Sequence, residues 1–129
     1  MLHYAAMQGL ETSELKIVPA IDSAGSVLAL TWLGRSSDRV PSTILEPFFA
    51  NVLSAAQTHQ WSVVMHFEQM EYFNSSTITA IIALIQDARN QGVRLTLTYQ
   101  GSLKWQRLSF DALQMFAQDD GMFQVKAMS

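Results

Sequence analysis

The sequence predicts an α/β fold, a mixed β-sheet with helices packed on it, in the element order β-β-α-β-α-β-α-β. Apolar runs of strand length alternate with stretches whose apolar residues recur at helical spacing, and the connections between them are short and rich in turn formers. No internal repeat or low-complexity linker interrupts the pattern. Strand-helix-strand succession calls for parallel pairing, and each amphipathic helix must bury its stripe on the sheet. Residues 1–129 are read as one domain, large enough to bury a core without a disulfide or metal staple.

Residues 1–14 form a polar leader, expected to be partly disordered. Residues 15–21 and 27–33 read as two short strands joined by the turn formers Asp22-Ser23-Ala24-Gly25-Ser26. Pro19 has no N–H to give a ladder, which marks the first of these strands as an edge. The polar stretch 34–41 is a loop. Leu45, Phe48, Phe49, Val52, Leu53 and Ala56 then share one helical face. Thr43 and Glu46 have the capping-box spacing and Pro47 suits a first turn, so this helix is expected to begin between residues 43 and 47.

Residues 61–67 form the strongest strand, apolar on both faces except at His66, as expected of a central strand covered on both sides. Ile78, Ile81, Ile82, Ile85 and Ala88 make a helical stripe that stops at Asn90-Gln91-Gly92. Residues 93–99 return as a strand, with Val93, Leu95, Leu97 and Tyr99 alternating against Arg94, Thr96 and Thr98. Beyond Gln100-Gly101-Ser102, the residues Trp105, Leu108, Ala112, Met115 and Phe116 fall on one helical face, and 122–126 reads as a last short strand.

Composition narrows the functional classes. A 49% hydrophobic and 15% charged chain is not disordered, and it is lean enough in charge that some apolar surface is expected to face a partner, a second copy included. Eight basic against eleven acidic residues, with no Lys/Arg cluster, argue against nucleic acid and against an anionic membrane surface. The absence of cysteine removes thiolate chemistry and Cys-based zinc sites and fits a reducing compartment. Residues 1–7 do not read as a signal peptide, and no apolar run approaches the ~20 residues that span a bilayer. The expected location is cytoplasmic.

Catalytic and cofactor motifs are missing. Ser75-Ser76-Thr77 is the one hydroxyl cluster with structural context, but no G-x-S-x-G surrounds it, and the three histidines, His3, His59 and His66, are scattered. His66 reads as a hydrogen-bonded core histidine. Asp119-Asp120-Gly121 is a turn signal rather than a metal loop, and no glycine-rich phosphate loop follows a strand. No enzyme activity, metal or cofactor is therefore expected. Most of the seven Met, seven Phe, three Trp and three Tyr residues fit internal faces, although Trp32, Phe73 and Trp105 are candidates for an exposed aromatic rim. At Asn74-Ser75-Ser76-Thr77 an apolar strand runs into a hydroxyl-rich turn and on into a helix. The first amides of a helix lack backbone partners, so such a turn suits either a cap or an added phosphate.

From residue 61 to residue 116, the succession Val63-Val64-Met65-His66-Phe67, Asn74-Ser75-Ser76-Thr77, an apolar helix and Gly92-Val93-Arg94-Leu95-Thr96-Leu97 resembles the STAS domain of bacterial anti-sigma factor antagonists. The family turn reads Asp-Ser-Ser-Gly; here Asn74 replaces the acidic residue and Thr77 the glycine. The resemblance implies a STAS-like sandwich and a protein-binding regulator. Its turn hydroxyl would be phosphorylated by a partner anti-sigma factor that is itself a serine kinase, and restored by a phosphatase. By position the acceptor is Ser76, with Ser75 and Thr77 as alternates, and Phe73, Asn74, Ser75, Ser76 and Thr77 form the expected partner-binding segment. The alternatives are a STAS-like structural subunit of a transporter or signalling assembly that is never phosphorylated, and a small-molecule-binding domain.

Overall fold

A computed structural model describes residues 7–22, 24 and 26–128. The elements run β1 (Leu10–Glu11), β2 (Leu15–Asp22), β3 (Val27–Ser36), α1 (Ser42–His59), β4 (Ser62–His66), β5 (Met70–Phe73), α2 (Ser75–Asn90), β6 (Leu95–Gln100), α3 (Lys104–Leu113) and β7 (Phe123–Met128). Every expected strand and helix is present, together with two short strands, β1 and β5, that were not expected. The sheet order is β1-β2-β3-β4-β6-β7, with β5 paired to β3. The β1·β2 and β2·β3 pairs are antiparallel, and all the others are parallel.

From β3 onward each new long strand is added on the same side of the last, through one helix each time. Right-handed crossovers that advance in one direction put all their helices on one face of a sheet. The burial pattern agrees: Leu15 and Ile17, Leu28, Leu30 and Trp32, Val63 and Met65, Leu95 and Leu97, and Phe123 and Val125 are buried on that face. On the other face Lys16, Val18, Gln124 and Lys126 are exposed, while Thr31, Val64 and His66 are half-buried. The expectation that residues 61–67 are covered on both sides is thus corrected. Val64 made the strand look doubly buried, but its face carries no helix.

In α1 the predicted face is the buried face. Its start differs, because the helix begins at Ser42 on Pro41 without a side-chain cap. Thr43 is therefore already inside the helix and forms no capping box. Pro47 lies past the first turn, where its missing N–H leaves a gap in the ladder.

In α3 the expected face holds only at its ends, where Trp105 and Phe116 pack half-buried against the core. Gln106, Phe110 and Leu113 are buried, whereas Leu108 and Ala112 are exposed and Met115 is 79% exposed. The reason is polar: the Gln106 amide donates to the Phe67 and Met70 carbonyls at 2.9 and 3.1 Å and accepts from the Gln100 N–H at 2.8 Å. A side chain that closes three backbone bonds is drawn inward despite its polarity. Met115 and Phe116 belong to a 3₁₀ turn after the helix.

Part of the expected leader is ordered. Leu10 and Glu11 pair with Ile17 and Lys16, and Thr12 Oγ1 accepts from the Leu15 N–H at 3.0 Å. Residues 1–6, including His3, and the turn residues Ser23 and Gly25 lie outside the described residues. The β1·β2 ladder stops at Ile17, so Pro19 does sit where no donor is needed. Gly34 has φ +93°, and a Cβ there would lie 2.1 Å from the Glu14 carbonyl oxygen, so only glycine lets β2 and β3 close at this end.

Candidate functional site

The strand β5 brings the chain to the hydroxyl turn. Its partner β3 steps from Gly34 to Arg35 while β5 steps from Met70 to Tyr72. The extra residue, Glu71, breaks the alternation, and so Met70 and Phe73 both face inward. Phe73 is 4% exposed and packs edge-on against Trp105 and Phe67, with ring centroids 5.2 and 6.0 Å away. This corrects two expectations. Phe73 is a core residue and offers no surface to a partner, and no aromatic rim forms, because Trp32 is fully buried against Phe49 and Phe67 and Trp105 is half-buried.

Asn74 follows with extended backbone and caps α2. Its Oδ1 accepts from the Thr77 N–H at 2.9 Å and from the Thr77 hydroxyl at 2.8 Å. Its Nδ2 donates to the Asp38 carbonyl at 2.7 Å, and its backbone N–H donates to the Ser36 carbonyl at 3.0 Å. The amide orientation is fixed, because a carbonyl partner can only accept. With its one proton on Asn74, the Thr77 hydroxyl accepts from the Ser36 hydroxyl at 2.7 Å. Ser36, Thr77, Asn74 and Asp38 therefore form one polar clasp joining the end of β3, the loop after it and the start of α2.

The clasp gives a physical meaning to both departures from the Asp-Ser-Ser-Gly pattern. An aspartate at position 74 would cap the helix but could not donate to Asp38. A glycine at position 77 would leave the Ser36 hydroxyl without this partner. Thr77 is fully buried with its hydroxyl engaged, which withdraws it as an alternate acceptor. Ser75 and Ser76 are exposed, and the Ser75 carbonyl accepts from the Thr79 hydroxyl at 3.1 Å. Of the five residues expected to meet a partner, the structure presents Ser75 and Ser76 fully and Asn74 in part.

Ser76 opens onto a groove of about 360 Å³. One wall is Thr79, Ala80 and Ala83 of α2; the other is Arg39, Val40, Pro41, Ser42 and Glu46 from the loop and start of α1. Val40 is 61% exposed there. Residues 39 and 40 carry no local motif in the sequence, and they follow directly on Asp38, whose carbonyl Asn74 holds.

The other sequence-level candidates lie apart from this turn. His66 Nδ1 is 2.7 Å from the Thr98 hydroxyl, which donates to Glu68 Oε1 at 2.7 Å. His66 is hydrogen-bonded as expected, yet it sits half-exposed on the bare sheet face instead of in the core. Asp120 closes a turn, accepting from the Met122 N–H at 3.1 Å and pairing with Arg89 at 2.5 Å. The Met122 N–H, followed by the Arg89 guanidinium, holds the Asp120 carboxyl below its ordinary range. Among the described residues no group of three or more His, Cys, Asp or Glu side chains is placed to hold a metal, and no helix is long and apolar enough to cross a membrane.

One mixed sheet, with its helices on one face and a capped helix start after β5, agrees with the STAS-like fold that the sequence resemblance implies. Among solved structures the chain is similar to the anti-sigma factor antagonist SpoIIAA in its unphosphorylated form, with a TM-score of 0.56 over 87% of this chain and 89% of that one, at 12% sequence identity. This likeness establishes the fold. No protein-family model matches the chain, and no curated protein matches it by sequence.

Proposed function

We propose that this chain is a cytoplasmic bacterial regulator that binds a partner protein through the start of α2 and is controlled by phosphorylation of Ser76, with Ser75 as the alternate. The carrying observation is that Ser76 is an exposed hydroxyl on a turn fixed by buried bonds, at the mouth of a groove with an apolar wall. The fold match to an anti-sigma factor antagonist supports the same reading. The partner class is an anti-sigma factor with serine kinase activity, opposed by a phosphatase; the chain itself binds and does not catalyse.

A phosphate on Ser76 adds about −1.5 to −2 charges at a helix N-terminus, a position that favours negative charge by roughly 0.3–1 kcal/mol. The fold tolerates it, while a partner packed over the turn loses affinity. A loss of ~3 kcal/mol is about a hundredfold in binding. Intact-mass analysis of protein isolated from its own host is expected to find phosphate on the peptide containing Ser75 and Ser76. Equal partner binding by Ser76→Ala and Ser76→Asp proteins would rule out a switch at this residue.

A second reading is a fixed subunit of a transporter or signalling assembly. It is favoured by the clasp itself, since Asn74 and Thr77 stiffen the turn in the absence of any modification. On that reading, host protein carries no phosphate at the turn.

A further inference from the structure

We propose that Arg39 is a built-in receiver for a phosphoryl group on Ser76, so that modification closes the α1–α2 groove from within the molecule. This rests on Ser76 as the acceptor and adds how the modified state is read. Three observations carry it.

First, Arg39 and Ser76 line the same groove, one from the loop before α1 and the other from the first turn of α2. Second, Arg39 is uncommitted. Arg35 pairs with Glu14 and lies over the Tyr72 ring, Arg89 pairs with Asp120, and Arg94 and Arg107 donate to the carbonyls of Gly121 and Gly101. Among the described arginines, Arg39 alone makes neither a hydrogen bond nor an ion pair. Third, its backbone is already held at the turn, because the preceding carbonyl, that of Asp38, accepts from Asn74 Nδ2 at 2.7 Å. The loop needs no ordering to present the guanidinium.

Two acidic groups bear on the site. Glu46 lines the groove, and Asp38 precedes Arg39 in the loop. Neither forms an ion pair with Arg39 in the unmodified protein. A phosphoserine near −2 with three acceptor oxygens outcompetes a single carboxylate for a guanidinium, whose planar fork matches two phosphate oxygens at once. Once held, the phosphate and the Arg39 side chain lie across Val40, Ala80 and Ala83. A partner residue seated on that apolar wall is then displaced by occupancy, in addition to charge repulsion.

The test uses the full chain with phosphoserine installed at position 76 by translational incorporation, which needs no native kinase. The phosphate is titrated by ³¹P NMR, and amide hydrogen exchange is followed at Arg39, Val40 and Ser42. The receiver predicts that the second phosphate ionisation lies about one pH unit lower in the parent than in Arg39→Gln. Arg39→Lys, which keeps the charge without the fork, is expected to recover part of the shift. Exchange at residues 39, 40 and 42 slows on phosphorylation in the parent and not in Arg39→Gln. Matching titrations in the parent and Arg39→Gln overturn the receiver whatever the host does to Ser76. An unmodified Ser76 in host-isolated protein overturns the acceptor reading instead.

Discussion

The two ends of β5 are both tied down by buried polar side chains, and they differ in what lies beyond the tie. At the Met70 end the fully buried Gln106 amide closes three backbone groups, those of Phe67 just after β4, Met70 in β5 and Gln100 in β6. At the Phe73 end the Ser36–Thr77–Asn74–Asp38 clasp does similar bonding, but its outer side is a pair of exposed serines and an open groove. One polar cluster is sealed and only holds the fold. The other holds a surface in place. The contrast shows that a buried hydrogen-bond network does not mark a functional site by itself; what matters is whether it fixes something that solvent or a partner can reach.

The largest effect is expected at the sealed end. Gln106→Leu leaves the buried Phe67 and Met70 carbonyls and the part-buried Gln100 N–H without this partner, and is expected to cost about 3 kcal/mol in urea unfolding. Thr77→Val keeps the shape and removes one hydroxyl from the clasp, for about 1–2 kcal/mol. If the two variants lost equal stability, the distinction between a sealed and an open cluster would fail on energetic grounds. Asn74→Asp sharpens it further: the cap survives, the bond to Asp38 is lost, and global stability should fall by about 1 kcal/mol or less. Hydrogen exchange in residues 37–40 should nevertheless rise clearly, since that loop loses its tether.

The smallest effect is expected outside both clusters, at the exposed Asp120 and Arg89 pair. Because the folded protein holds the Asp120 carboxyl below its ordinary 3.8, its contribution is present above that value and is lost as pH falls through the lower folded value. The gap between the parent and Asp120→Asn should therefore be constant near neutrality and close in acid below about pH 3.8. A gap that widened in acid would reverse the assigned direction.

Legibility in the sequence followed the range of the interactions. The buried face of α1 was readable because Leu45, Phe48, Phe49, Val52, Leu53 and Ala56 pack by hydrophobicity alone. The face of α3 was not, because a glutamine with three backbone partners outranked Leu108 and Met115. Strand β5 was hidden by its bulge, since Met70 and Phe73 are three apart and fit no period of two. Within the site, Asn74, Ser75, Ser76 and Thr77 announced themselves through local capping chemistry. Ser36 and Asp38 lie 41 and 36 residues from their partners in the turn, and neither they nor Arg39 carries a local signal. The hydroxyl turn was legible, but the frame that holds it was not.

The direction of strand addition has a consequence for how the chain assembles. The β2–β3 hairpin pairs neighbours in sequence, whereas each later parallel pair must first close a whole crossover, at a loop entropy that local contacts do not face. The clasp at Asn74 depends on β3, the loop after it, β5 and α2 all being in place. It is therefore among the late-forming contacts, and the serine turn takes its final shape only on a nearly completed fold. Under the proposed function, a kinase or partner that recognises that shape would ignore nascent and misfolded chains, and the four residues that fix the serine turn would also certify the molecule that carries it.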